Sequence, residues 1–288
     1  MACARLSGNG PETGTVPRRN DRNMKQPLPI LVFTDLDGTL LDHHGYSYAP
    51  ALPALDAIAA LSGGVVLASS KTAAEIAPLR DELGLSDWPA IVENGAGLLE
   101  AGTHAGDDAG DYAEIRSILA SLPQNLRSSF RAFGDMSANE VSDATGLSEA
   151  QAALAKDRRY SEPGRWSGSE ADRENFIAAL SDKGISARMG GRFLTLSLGH
   201  TKADRMDAII DRFRPAHSVA LGDAPNDVDM LDRADFGYIV TNPDAAPLPR
   251  LKGEDEGRIR RTELPGPAGW NAVILGLLSE LQLLTEIG

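Results

Sequence analysis

The stretch Leu31-Val32-Phe33-Thr34-Asp35-Leu36-Asp37-Gly38-Thr39-Leu40-Leu41-Asp42 decides how this chain is read. An apolar run bounded by turn residues marks a strand buried on both faces, as in a parallel sheet. In open parallel sheets, reactive groups collect just beyond the carboxyl ends of the strands. Asp35 and Asp37 fall at that point. Side chains two residues apart on a strand share a face, so both carboxylates converge on one spot. Like charges so close favour a bound cation or a shared proton, and a hard divalent metal is the simplest resolution. The same letters also suit a plain turn, since Asp and Gly are turn residues and Thr caps helices. The rest of the chain separates the two readings.

The sequence has 288 residues, 42% hydrophobic and 24% charged, which suits a globular protein of one large or two modest domains. Its one cysteine, Cys3, lies in a polar N-terminal stretch, which excludes an intrachain disulfide framework and a cysteine metal site. That usage fits a reducing, cytoplasmic setting. No apolar run approaches the roughly 20 residues of a membrane helix, and the first residues lack the apolar core of a secretory signal. A net charge of −13 argues against a broad basic face for nucleic acid. A small anionic substrate is still compatible, met by a local metal and a few cations. Oligomeric state is not legible.

Residues 1–27 are rich in Gly, Pro, Asn and Arg, without hydrophobic periodicity, and read as a disordered leader, with Met24 as an alternative start. Arg5, Arg18, Arg19 and Arg22 invite a transit-peptide reading, but Pro11, Pro17 and the neighbouring glycines break any amphipathic helix. From residue 28, strands and helices alternate: strand 30–34, helix 50–61, strand 65–68, helix 73–83 and strand 90–92. That is the βαβαβ pattern of a doubly wound parallel sheet. It returns as helix 202–213, strand 218–221, helix 226–233 and strand 237–240. Between the halves, helical patches at 112–121, 137–144, 148–158 and 170–182 are mixed with strand-like runs at 130–133, 185–189 and 193–198. The expected organisation is a discontinuous α/β core, 28–104 and 198–288, with an inserted α/β domain at 105–197. Asp107, Asp108 and Gly110 mark its flexible start.

Asp35 to Asp42, Ser69 after the second strand, Lys202 opening a helix, and Gly222-Asp223-Ala224-Pro225-Asn226-Asp227 after a later strand resemble the four motifs of the haloacid dehalogenase (HAD) phosphatase superfamily. Their order and strand-end placement carry the likeness, which spans about residues 28–280. The insertion resembles the α/β caps of the Cof-type (class IIB) sugar phosphatases. Within that group, Ser69 to Ile76, Glu93-Asn94-Gly95-Ala96, Arg159 to Pro163, Gly190-Gly191-Arg192-Phe193 and Gly266 to Trp270 are similar to the mannosyl-3-phosphoglycerate phosphatase family.

The resemblance implies an Mg²⁺-dependent phosphatase working through an aspartyl-phosphate. Asp35 would be the nucleophile and Asp37 the acid and base. Asp35, the Asp37 backbone carbonyl, Asp223 and Asp227 would hold the metal. Thr39, Ser69, Lys202 and Asn226 would bind phosphate. These residue types suit the task, because a carboxylate can split hydrolysis into two displacements, a neighbouring carboxyl can move the proton, and phosphoryl transfer is mainly positioning and charge neutralisation. The insertion would select a phosphorylated sugar-glycerate, with Lys71, Arg159, Glu162, Arg188, Gly190, Gly191 and Arg192 offering guanidinium forks, backbone approach and a hydroxyl acceptor. A Gly-Gly hairpin turn with exposed arginines explains Gly190 to Arg192 equally well. Trp88, Trp166 and Trp270 read as packing residues. A glucosyl-3-phosphoglycerate or other sugar phosphate phosphatase and a phosphohexomutase are the alternative functions.

Overall fold

The computed structural model describes residues 27–106 and 110–286. The expected leader, apart from Pro27, and the insertion-start residues Asp107 and Asp108 lie outside the described residues. In the first half of the chain, β1 (Leu31–Thr34), α1 (Leu52–Ala60), β2 (Gly64–Leu67), α2 (Ala73–Glu82), β3 (Ala90–Val92) and β4 (Gly97–Leu99) follow one another. The middle contributes α3 (Asp111–Ser121), α4 (Gln124–Arg127), β5 (Phe130–Ala132), α5 (Ala138–Thr145), α6 (Glu149–Ala155), β6 (Ser161–Trp166), α7 (Glu170–Ser181), β7 (Ser186–Gly190) and β8 (Phe193–Ser197). The last part adds α8 (Lys202–Phe213), β9 (Ser218–Gly222), α9 (Val228–Arg233), β10 (Phe236–Thr241), α10 (Lys252–Asp255), β11 (Ile259–Pro265) and α11 (Gly266–Glu280).

The main sheet is parallel and five-stranded, in the order β11-β10-β9-β1-β2. Apart from the edge strand β11, its strands are apolar on both faces because both faces are covered. Ile30, Val32, Val65, Leu67, Val219 and Leu221 pack into one cluster with Trp270, Ile274 and Leu277 of α11. Leu31, Phe33, Val66 and Ala220 pack into the other with Met206 and Ile209 of α8 and Met230 of α9. Alternation along each strand sends successive residues to opposite layers, so a continuous apolar run is what a two-sided sheet requires. β1 lies between β2, which follows it in sequence, and β9, which arrives after the insertion. The strand order therefore reverses at β1, and such a reversal opens a crevice beyond the carboxyl ends of the strands. Thr34 stands level with Leu67 and Leu221 across these pairings, so the residues that follow all three strands emerge at one edge.

The third expected strand, 90–92, joins β2 by a single bridge between Ala68 and Ile91 and makes its ladder with β4, antiparallel. Its side chains still follow the sheet: Ala90 and Val92 pack on one layer and Ile91 on the other. The middle segment folds onto its own four-stranded antiparallel sheet, β5-β6-β8-β7, over a cluster that includes Ile115, Leu119, Phe130, Phe176, Leu180, Leu194 and Leu196.

β6 was not visible in the sequence pattern, because Ser161-Glu162-Pro163-Gly164-Arg165-Trp166 carries residues that strands avoid. Its surroundings explain both. β5 pairs only with Gly164 to Trp166, so Pro163 lies beyond the end of that ladder. A Cβ on Gly164 would stand 2.4 Å from the Phe130 ring, so only glycine lets that ring lie over the strand. β11 and α11 also escaped the pattern. β11 is a largely exposed edge strand in which Ile259 and Thr262 are buried, and α11 opens with Gly-Pro, which reads as a turn.

The Phe176 ring lies 5.2 Å from both the Phe130 and the Trp166 ring and is fully buried. Phe176→Ala is expected to lower the stability of the protein by about 3–5 kcal/mol, the usual cost of a large-to-small change in a packed core. A denaturant titration followed by tryptophan fluorescence measures it; a loss under 1 kcal/mol would mean that this cluster is not a packed core.

Candidate active site

β1 ends on Thr34, whose hydroxyl donates to the Asp35 carbonyl at 2.8 Å and accepts the Trp270 indole N–H at 3.0 Å. That fixes where the chain leaves the sheet. It then turns back on itself: Leu41 N–H donates to Leu36 O at 2.8 Å and Gly38 N–H to Leu41 O at 3.0 Å. The turn needs Gly38 at φ +79°, and a Cβ there would stand 2.3 Å from the Asn242 amide. Both facts call for glycine.

Four elements meet at this edge. Asp35 follows β1, Ser69 lies just beyond β2, Lys202 opens α8, and Asp223 and Asp227 follow β9. Thr201 caps α8, accepting the Asp204 N–H at 3.2 Å while the Asp204 carboxylate accepts from Thr201. This capping box sets Lys202 on the first turn, aimed inward. The Lys202 ammonium is buried and reaches Asp35 Oδ1 at 2.6 Å and Asp227 Oδ1 at 2.7 Å. Asp227 Oδ2 accepts the N–H groups of Asp223 and Ala224 at 3.2 and 3.1 Å. Asp223 in turn accepts from the Thr39 hydroxyl at 2.8 Å and the Asn242 amide at 2.7 Å.

Charge is unevenly compensated here. Burial pushes Asp35 well above the usual carboxylate range, and Asp227 and Asp223 add repulsion against the pull of Lys202. Asp223 is raised too, by burial first, although Asn242 and Thr39 donate to it. Burial opposes the charge on Lys202, yet Asp227 and Asp35 together hold its ammonium above its ordinary range. Asp35, Asp223 and Asp227 each offer a carboxylate oxygen, all within 4.8 Å of one another. Three acidic oxygens against one buried ammonium, with no sulfur or imidazole in the set, fit a hard divalent cation better than a soft one.

Asp37 sits at the rim. Lys71 donates to its Oδ2 at 2.6 Å, and its Oδ1 is buried without a hydrogen-bond partner. Ser69 is buried, and its hydroxyl accepts the Lys71 N–H at 3.2 Å. Asn226 is exposed and donates to Asn94 at 3.0 Å.

The structure thus brings Asp35, Asp37, Thr39, Ser69, Lys71, Lys202, Asp223 and Asp227 to one edge, with Asn226 beside them. Thr39 is committed to Asp223 and serves as its holder. The residues expected in the insertion are dispersed. Glu162 is fully buried, taking Gly134 N–H at 3.1 Å, Tyr112 hydroxyl at 2.9 Å and Arg116 at 2.9 Å. It braces the insertion's interior, with its carboxylate buried among these donors. Arg159 is engaged through its backbone N–H, at 2.9 Å from Glu93. Arg188, Gly190, Gly191 and Arg192 belong to the β7–β8 hairpin. Gly191 takes φ +56°, and Arg192 donates to the Thr145 carbonyl at 3.0 Å. Gly190 pairs with Phe193 at the tip, whereas Ser161 pairs with Ser197 at the end of this sheet where the chain crosses between the two parts. The hairpin tip is therefore at the far end.

One participant went unnoticed in the sequence: Asn242 follows β10, so the same strand-end logic that marked Asp35 would have found it. Glu93 stood out only as part of the motif that ends the third strand, with no role assigned to its side chain.

Residues 32–156 match the model of the haloacid dehalogenase-like hydrolases. The fold is similar to that of a protein from Streptococcus mutans UA159 (TM-score 0.62, 18% identity, covering 86% of this chain and 98% of that one). It is also similar to the sucrose-phosphatase of Synechocystis sp. PCC6803, solved with sucrose and phosphate (TM-score 0.58, 11% identity, 89% and 99% covered). A third likeness is to a HAD subclass IIB sugar phosphatase (TM-score 0.58, 16% identity, 88% and 98% covered). The parallel sheet, its inserted antiparallel sheet and these matches give the chain the fold of the haloacid dehalogenase-like hydrolases.

Proposed function

We propose that this protein is an Mg²⁺-dependent phosphatase that hydrolyses 2-O-mannosyl-3-phosphoglycerate to mannosylglycerate and phosphate. The observation that carries the phosphatase reading is Asp35, a nearly buried carboxylate held by Lys202 beside Asp223 and Asp227, with the Asp37 carboxylate two residues away. The fold likeness to sugar phosphatases supports it. The mannosyl-glycerate assignment rests on the sequence motifs around Ser69, Glu93, Arg159, Gly190 and Gly266.

Asp35 attacks the phosphorus and the bond to the sugar-glycerate oxygen breaks, while Asp37 gives that leaving oxygen its proton. Water then attacks the aspartyl-phosphate, losing its proton to Asp37, and Asp35 is regenerated. Oδ1 of Asp37, free of partners, suits that exchange, and Lys71 orients the carboxylate through Oδ2. Lys202 and Ser69 bind the phosphoryl oxygens, and neutralisation by a fixed ammonium is worth most where water is excluded. Asp35, Asp223, Asp227 and the Asp37 backbone carbonyl would hold Mg²⁺, which would supply charge neutralisation at the phosphoryl group. Residues 105–197 form the specificity cap in this reading. Arg188, Gly190, Gly191 and Arg192 would meet the phosphoglycerate or the sugar once the hairpin approaches the core. The reading places the enzyme on a small phosphorylated metabolite in the cytoplasm.

Asp35→Asn is expected to lower kcat by about 10⁴-fold or more, as loss of a nucleophile does; full activity would end the mechanism. Mg²⁺ should raise the melting temperature of the chelator-treated protein, corresponding to about 2.7 kcal/mol at a hundredfold excess over Kd. Asp223→Asn should erase that shift, and an unchanged shift would take Asp223 out of the metal site. Phosphate release should be fastest from mannosyl-3-phosphoglycerate in a panel with its glucosyl analogue, simple sugar phosphates and p-nitrophenyl phosphate. Isomerised sugar phosphate without phosphate release would instead identify a mutase. Arg192→Ala should raise KM for the preferred substrate about 10–100-fold, as loss of a charge-assisted contact does, leaving p-nitrophenyl phosphate within about twofold; equal effects would remove Arg192 from recognition.

A further inference from the structure

Glu93 is an acidic residue buried just past the end of β3, and it is not part of the Asp35–Asp223–Asp227 cluster. It ends the β3 strand in a backbone that side chains avoid: φ is +51° at Glu93 and +60° at Asn94. Such conformations persist only where the surroundings over-determine them. Here Glu93 N–H donates to the Lys71 carbonyl and Asn94 N–H to the Ser69 carbonyl, both at 2.9 Å. The turn is thereby fixed to the loop that carries Ser69 and Lys71. On its other side, a Cβ on Gly95 would stand 2.0 Å from the Thr201 backbone, and Arg205 donates to the Gly95 carbonyl at 3.1 Å. The start of α8, with Lys202, therefore rests against the same turn.

The Glu93 carboxylate points into the insertion. Oε1 accepts Arg159 N–H at 2.9 Å, and Oε2 accepts Tyr160 N–H at 3.3 Å and the Ser161 hydroxyl at 2.7 Å. Arg158 lies 3.8 Å from Oε2 and donates to the Ser70 carbonyl at 3.0 Å. The Thr72 hydroxyl donates to the Leu154 carbonyl at 2.9 Å. Tyr160 is buried in the core cluster, against Gly97. Segment 154–161 of the insertion is thus clipped to Ser70, Thr72 and Glu93 of the core.

Two chain crossings, before α3 and after β8, define an axis about which the insertion could rotate. A third attachment off that axis fixes the angle. Resting on the phosphatase reading above, we infer that Glu93 is a positioning residue that sets the insertion relative to the Ser69–Lys71 loop, and so determines how a substrate spanning both parts is held. A small aryl phosphate uses the core alone and is indifferent to that angle; a sugar-glycerate phosphate is not.

The test compares Glu93→Gln and Glu93→Ala with Arg158→Ala as an independent break in the same clip. Expected are kcat and KM for p-nitrophenyl phosphate within about twofold of the parent. KM for mannosyl-3-phosphoglycerate should rise by about tenfold or more in Glu93→Ala, with a smaller rise in Glu93→Gln, which keeps one acceptor. Spin labels at Asp56→Cys on α1 and Gln124→Cys on α4, in a Cys3→Ser background, report the angle without reference to activity. Their distance distribution should broaden in Glu93→Ala and in Arg158→Ala. Equal losses on both substrates with an unchanged distance distribution would make Glu93 merely structural and overturn the inference, as would parental kinetics in all three variants. Were the parent inactive on every phosphate ester, the phosphatase reading would fail, and the distance measurement alone would decide the clip: broadening upholds it, and an unchanged distribution refutes it. Should Glu93→Ala fail to fold, Arg158→Ala carries the same decision.

Discussion

One buried ammonium holds the site together. Lys202 sits between Asp35 and Asp227, 2.6 and 2.7 Å away, and these three residues come from the first strand, the helix after the insertion and the turn after β9. Each partner alone would be costly in that place. Buried carboxylates without a cation drift towards the neutral form, and a buried lysine without anions loses its charge. Together they are mutually required, and removing one partner of such a cluster costs about 3–5 kcal/mol. The contact therefore ties residues 167 positions apart. β1 lies between β2 and β9, so the chain segments before and after the insertion release side chains at the same edge.

What the sequence disclosed follows from this. Residues whose role depends on following a buried strand were legible, because the strand is written as an apolar run and the polar residue at its end stands out. Asp35, Ser69 and Asp223 are of that kind, and Asn242 is a fourth that the same logic reaches. Helix α8 was legible to its ends, since Thr201 and Asp204 form a capping box and the apolar positions repeat at helical spacing. Thr39 was placed beside the phosphate by its nearness to Gly38, but its hydroxyl turns to Asp223. Sequence proximity gives the neighbourhood of a hydroxyl, while its direction is set by which acceptor is closest in space.

The insertion was harder for a physical reason. Its sheet is held by a strand, β6, whose Pro163 and Gly164 deny every propensity, and the fit of Gly164 under the Phe130 ring is a tertiary fact with no local trace. Glu162 was equally opaque. A glutamate next to Pro-Gly looks exposed, and only the arrival of Tyr112, Arg116 and the Gly134 N–H from two other elements makes it an interior brace. Burying a carboxylate is tolerable only when donors surround it, and burial still pushes Glu162 above its usual range despite three donors.

Glu93 and Glu162, both buried and hydrogen-bonded, brace the insertion at two different places. Glu162 organises the inside of the antiparallel sheet around a buried charge, so that β6 is a stiff element. Glu93 grips the residues that lead into that strand from the core side, and its own backbone is bonded to the carbonyls of Ser69 and Lys71. A displacement of the Ser69–Lys71 loop must therefore move the root of β6, because packed elements shift as bodies instead of deforming. The root of β6 and the loop beside the carboxylates are thus joined through one short path of hydrogen bonds. The angle between the two sheets is set at residues 93 and 158–161, beside the reacting edge.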